Sequence, residues 1–92
     1  MNRAELAEAV AAGSGLTERA AEAVVDALLS AVTEELAAGG RVSVMGFGSF
    51  EVKRRPERLG RNPATNEPMR IPAGQIPVFR AGKKLRDALN EN

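Results

Sequence analysis

All five prolines of this 92-residue chain, Pro56, Pro63, Pro68, Pro72 and Pro77, fall in one stretch of the sequence. Proline has no backbone N–H to donate, and within sheets it is confined to edges, bulges and turns. A stretch interrupted this often is neither a helix nor a central strand. A two-stranded ribbon, by contrast, has two edges and no interior, so proline fits wherever its missing N–H would face outward. The segment therefore reads as a long hairpin leaving the body of the molecule. Its tip is expected near Pro63 to Glu67, where Asn66 can take the left-handed conformation of a tight turn. Between Gly60 and Pro72 only Met69 and Ile71 are bulky and apolar, so this part of the chain contributes little to a core.

The residues before the ribbon follow two periods. Asn2 with Glu5 three residues later fits a capping box, and Leu6, Ala9 and Val10 recur at helical spacing. A first helix is expected from Arg3 to Ala12, with Gly13 as its stop. Thr17 is a good N-cap for a long second helix, whose apolar stripe runs through Ala21, Val24, Val25, Leu28, Leu29, Val32 and Leu36 to an end at Gly39-Gly40. Glu18, Glu22, Asp26, Glu34 and Glu35 lie mostly off that stripe and form a solvated face, which argues against a helix lying on a membrane. From Arg41 the period becomes two: Val42 and Val44 alternate with Ser43, Gly46-Phe47-Gly48 makes a turn, and Phe50 and Val52 resume the alternation. The two glycines do not begin a nucleotide-binding loop, because the third glycine of that motif would fall at Glu51. Ile76, Val78 and Phe79 mark the return to the core, and Leu85, Ala88 and Leu89 place a short final helix over Lys83 to Asn90.

Composition narrows the function. At 43% hydrophobic and 27% charged residues the chain has a soluble globular make-up and the length of one domain. With neither cysteine nor histidine, disulfides, thiolate metal sites and the usual general base are excluded. No catalytic residue, metal ligand or cofactor is nominated, and an enzyme or a small-molecule substrate is not expected. No apolar run approaches a membrane span and no signal-peptide pattern opens the chain, so the expected compartment is the cytoplasm. A ribbon of roughly 25 residues leaves a small body, marginal on its own, with only three aromatic residues in the whole chain. The stripe on the second helix is wider than the first and last helices could cover. Two copies sharing one core, an obligate homodimer, are expected.

Charge is divided unevenly along the chain. Residues 1–40 carry net −5 and residues 41–92 net +6, and between Lys53 and Arg86 ten basic residues face only Glu57 and Glu67. Such polarity points to a polyanion met by one side of the molecule. Lys53, Arg54, Arg55, Arg58, Arg61, Asn62, Pro63 and Arg70 are the candidate contact residues of the ribbon. Arginine binds phosphate through a planar fork and also enters a narrow minor groove, where the negative potential is deep. Beside it, Asn62 can donate to base edges, and Pro63 has the rigid apolar shape that can wedge into a base step; Asn-Pro also simply initiates turns. Strand alternation puts Lys53, Arg55 and Arg61 on one parity and Arg54 and Arg58 on the other. Lys83 and Lys84 fall in the first turn of the last helix, where positive charge opposes the helix dipole, so a bound phosphate would account for them better than local stability does. Solubility is the competing explanation.

The run GFGSFEVKRRPERLGRNPAT, Gly46 to Thr65, resembles the signature of the HU/IHF family of histone-like DNA-bending proteins in its glycine-phenylalanine turn and in Phe50, Arg55, Arg58, Gly60, Asn62, Pro63 and Thr65. The closing FRAGKKLRDALN is similar to that family's last strand and helix. Members of the family are established minor-groove binders, so the wrapping and intercalation mechanism is what the resemblance implies. The resemblance implies an α+β fold: two N-terminal helices, a three-stranded antiparallel sheet with a long protruding β-ribbon arm, and a short C-terminal helix. It further implies an intertwined dimer, with residues 1–52 and 76–92 as the dimerisation body and 53–75 as the arm. Two such arms would lie in the minor groove of double-stranded DNA, with Pro63 intercalating and Arg61 and Asn62 beside it. Lys53, Arg55 and Arg58 would face phosphates, and Arg3, Arg80, Lys83, Lys84 and Arg86 would form the positive surface of the body. Phe47, Phe50 and Phe79 belong to the core in this picture. The implied function is compaction and bending of chromosomal DNA in the bacterial nucleoid with little sequence preference, bent or distorted duplexes being favoured. Family members commonly have glycine at the tip where this chain has Asn66, followed by Glu67-Pro68. Three alternatives stay open: a sequence-specific IHF-like subunit, an RNA-binding protein using a basic hairpin, and an adaptor whose arm docks an acidic partner.

Overall fold

A computed structural model describes residues 1–90, in the order α1 (Arg3–Ser14), α2 (Glu18–Ala37), β1 (Val42–Val44), β2 (Gly48–Arg55), β3 (Arg58–Arg61), β4 (Pro68–Ile71), β5 (Gly74–Ala81) and α3 (Lys83–Asn90). Contacts group these elements into two compact units, Met1–Ala38 and Gly39–Asn92.

The first unit is a helical hairpin. The side chain of Asn2 accepts a hydrogen bond from the Glu5 backbone N–H at 2.9 Å, and that of Thr17 accepts from Ala20 at 3.1 Å, so both helices start where their caps predict. The end of α1 corrects the sequence reading. Gly13 lies inside the helix, and Gly15, in the left-handed region at φ 78°, caps it by donating to the Ala11 carbonyl. A glycine is tolerated in a last helical turn, whereas a positive φ demands one, so the stop belongs to the second glycine. Ala7, Ala21 and Val25 are buried where the two helices meet. The other members of the α2 stripe are not: Val24, Leu28 and Leu29 are 48%, 60% and 49% exposed.

The second unit is an antiparallel sheet in the order β1-β2-β5, with β3 and β4 forming a separate two-stranded ladder. The register between the outgoing and returning strands is unchanged from one ladder to the next: Arg55 faces Gly74 and Arg58 faces Ile71. The ribbon is thus one hairpin interrupted at Pro56-Glu57 and, opposite, at Pro72-Ala73. Within the ladders proline takes outward-facing positions. Gly82 donates to the Phe47 carbonyl at 2.7 Å and Asn62 to that of Glu67 at 2.9 Å. Counting inward from these hydrogen-bonded pairs puts Pro77, opposite Val52, and Pro68, opposite Arg61, in non-hydrogen-bonded pairs.

The turn between β1 and β2 brings the last helix onto the sheet: Leu85 donates to the Gly46 carbonyl at 3.3 Å. Gly48, at φ 155°, is the one buried residue among the described residues of the sheet unit, and a Cβ there would fall 2.7 Å from the Phe79 ring and 2.5 Å from the Arg80 carbonyl. That missing side chain is the space in which Phe79 packs. Its ring centroid lies 5.5 Å from Phe47 and 4.9 Å from Phe50, both tilted. The family resemblance implied that these three rings lie in the core; they pack against one another, but none is buried in the single chain, Phe47 and Phe79 being 48% and 41% exposed.

Candidate nucleic-acid interface

The arm is built by the two ladders and the loop that joins them. Asn62 closes this loop in two ways: its carbonyl accepts from Asn66 at 2.7 Å and its side-chain oxygen accepts from Ala64 at 2.9 Å. Asn66 occupies the left-handed region at φ 59°, as the turn requires, and asparagine is among the few non-glycine residues suited to it. Arg61 adds a hydrogen bond from its guanidinium to the Asn66 carbonyl at 3.0 Å. Pro63, exposed, is therefore held at the crest between an Asx turn and a left-handed residue. No residue from Gly60 to Pro72 is buried.

Register distributes the cations. Lys53 lies opposite Ile76 and Arg55 opposite Gly74 on one face of the inner ladder, with Arg54 opposite Gln75 on the other. In the outer ladder Arg58 faces Ile71, while Arg61 faces Pro68 and shares its side with Arg70, opposite Leu59. Cations therefore line both faces. Arg55 is the least solvated of them. Its guanidinium lies against Gly74, where a Cβ would come within 3.0 Å, and its buried Nε has no hydrogen-bond partner. This places an unsatisfied donor beside the groove formed by Arg54, Arg55, Pro56, Ala73, Gly74 and Gln75 at the break in the ribbon.

Carboxylates answer only some of the basic residues. Arg3 makes a two-pronged pair with Asp26, Nε–Oδ1 2.7 Å and Nη2–Oδ2 2.8 Å, which holds the Asp26 carboxyl below its ordinary value. Glu51 is shared by Arg41 at 3.3 Å and Arg80 at 3.5 Å, Asp87 pairs with Lys83 at 2.7 Å, and Glu57 pairs with Arg70 at 2.7 Å. Among the described residues Lys53, Arg54, Arg55, Arg58, Arg61, Lys84 and Arg86 have no carboxylate partner. The sequence reading placed Arg3, Arg80, Lys83 and Arg70 among the available cations without seeing these partners, because cross-strand and cross-helix pairing depends on register. Only Lys83-Asp87, four apart on a helix, was visible in the spacing. Lys84 contributes differently from its neighbour, its aliphatic stem filling the space beside Gly46, where an added Cβ would come 3.0 Å from the lysine Cδ.

The family model for bacterial DNA-binding proteins matches residues 1–90. The chain belongs to that family. Its likeness is to HU proteins: the DNA-binding protein HU of Geobacillus stearothermophilus is 49% identical over 89 residues, covering 97% of this chain and 99% of the relative. HU-beta of Serratia marcescens is 46% identical over 90 residues, covering 98% and 100%. Among solved structures, Anabaena HU in a cocrystal with DNA superposes with a TM-score of 0.93 at 44% identity over the whole of both chains. HU from Thermotoga maritima gives 0.67 at 29% identity, covering 97% and 98%. The three helices and antiparallel sheet expected from the family resemblance are thus the fold observed. Among the described residues no helix is long and apolar enough to cross a membrane.

Proposed function

We propose that this protein binds double-stranded DNA with little sequence preference, as a homodimeric, non-enzymatic component of the bacterial nucleoid that bends and compacts the duplex. The observation that carries this reading is the arm: a solvated ribbon bearing five cations without carboxylate partners among the described residues, crowned by a conformationally fixed proline. Neutralised phosphates release counterions, which supplies affinity without reading sequence. Lys53, Arg54, Arg55 and Arg58 on both faces of the ribbon suit a groove, whose walls present phosphates on either side. Arg61 and Asn62 meet base edges at the tip, and Pro63 enters a base step and partly unstacks it, which favours duplexes already bent or distorted.

In this reading residues 1–52 and 76–92 form the dimerisation body and residues 53–75 the arm. The uncovered residues Val24, Leu28 and Leu29, together with the half-open phenylalanine cluster, supply the apolar surface that a second copy covers. Arg86 and Lys84 lie on the body's positive side, with Arg3, Arg80 and Lys83 able to join them only by exchanging their carboxylate partners. Pro63→Ala separates wedge from charge. Fluorescence transfer across an end-labelled duplex should report a smaller bend for the variant, while its affinity changes by less than about threefold because every cation stays. An unchanged bend angle removes the wedge from the mechanism.

A further inference from the structure

Among the described residues Arg70 is the one arm cation paired with a carboxylate of the chain, and its partner lies in the break of the ribbon. Glu57 occupies the two-residue gap between β2 and β3, opposite Pro72, and Arg70 stands in β4 opposite Leu59. The two are diagonal neighbours on one side of the hairpin, and their contact, Arg70 Nε to Glu57 Oε1 at 2.7 Å, ties the unladdered linker of the outgoing strand to the outer ladder of the returning one. Lys53, Arg54, Arg55, Arg58 and Arg61 all lie on the outgoing strand, so Arg70 is the only cation on the returning side between Pro68 and Phe79. Both partners are largely solvated, at 75% and 52% side-chain exposure. An ion pair in that setting is weak and open to exchange.

We propose that Glu57 tunes the arm's affinity by occupying Arg70, so that a DNA phosphate must displace this carboxylate before the returning strand can contribute a contact. The role rests on the DNA-binding reading of the arm and adds a residue that no count of cations would select. Glu57 is then a positioning residue with a net cost to binding: it braces the break while the arm is free and withholds one charge per arm from the duplex. Other glutamates do not share this property. Glu67 makes no ion pair among the described residues, and Glu51 serves Arg41 and Arg80 away from the tip.

The test is a double-mutant cycle on the full chain, read as duplex affinity over a series of salt concentrations. Glu57→Gln should tighten binding at low salt by about two- to fivefold per arm, the range of competition that an exposed pair can exert. It should also steepen the slope of log K against log salt by about 0.9 per arm, one further phosphate neutralised in each. In an Arg70→Ala background the same substitution should produce neither effect. An equal gain in both backgrounds would show that Glu57 acts only through general repulsion, and no gain in the native background would show that Arg70 was never withheld; either result overturns the proposal. Circular dichroism on each variant establishes that the fold is intact. If the unsubstituted protein fails to bind the duplex at low salt, the DNA-binding reading itself falls, an outcome distinct from binding that is indifferent to Glu57.

Discussion

Leu28→Ala measures how much of the fold's stability is held between copies. Leu28 is 60% exposed in the single chain, so truncating it opens no cavity within one copy, and alanine is the better helix former. In the proposed dimer the larger part of any loss comes from surface that a second copy covers. Replacing leucine by alanine removes three carbon groups, each worth about 0.8 kcal/mol on full burial. Scaling by the 60% left for the partner to bury gives about 1.4 kcal/mol per copy and about 3 kcal/mol per dimer, since symmetry presents the residue twice. At about 1.4 kcal/mol per tenfold, the dissociation constant should rise on the order of 100-fold. Sedimentation equilibrium over a concentration series reads this directly. Thermal unfolding should also depend on concentration, and more visibly in the variant, as expected where folding and association are linked. A native chain that stays monomeric and folded at high concentration, or a variant dissociating within about threefold of it, would refute the reasoning.

The packing and the helix-to-helix ion pair supply two more tests. Gly48→Ala should destabilise the protein by at least about 2 kcal/mol in thermal unfolding, because the added carbon meets both a backbone carbonyl and an aromatic ring at a φ that L residues rarely adopt; an unchanged melting temperature would mean that Phe79 does not use this space. Asp26, held down first by its hydrogen bonds to Arg3 and further by that residue's charge, should titrate below the ordinary 3.8. Its folded value is depressed, so the pair's contribution is complete above the ordinary value and is lost as pH falls toward the folded one. Carboxyl titration by NMR should show Asp26 returning toward its ordinary range in Arg3→Ala, and no movement would mean that the pair is not populated in solution.

How much of this was legible in the sequence depended on the range of the interaction. Asn2, Thr17 and Asn66 announced two helix starts and a turn because capping and left-handed turns are settled within a few residues, and the structure places each where expected. The prolines announced a ribbon by exclusion, and the two ladders in unbroken register realise it. Gly13 misled because a glycine near a helix end is read as the stop unless the positive φ two residues later is known. The break at Pro56-Glu57 was present in the sequence only as a proline; its counterpart at Pro72-Ala73 became its partner once the register was fixed. Charge was the least transparent feature. Counting cations identified the arm but treated Arg70 and Arg61 alike, whereas folding gives one a carboxylate and the other a backbone carbonyl. Pairing of that kind is decided by residues distant in sequence, and single-sequence periodicity carries no signal for it. The open apolar stripe was the converse case: its width argued for a second copy, and the single chain leaves Val24, Leu28 and Leu29 about half exposed.

The most direct measurement of the central claim, that an exposed ribbon of unpaired cations grips duplex DNA through its phosphates, is a salt titration of binding to two duplexes of unrelated sequence. If roughly 6 to 10 phosphates are neutralised by the two arms and the body, affinity should fall by about 10³- to 10⁵-fold between about 50 and 200 mM salt, in parallel for both sequences. A nearly flat dependence, or strong binding to only one of the two duplexes, would contradict the account.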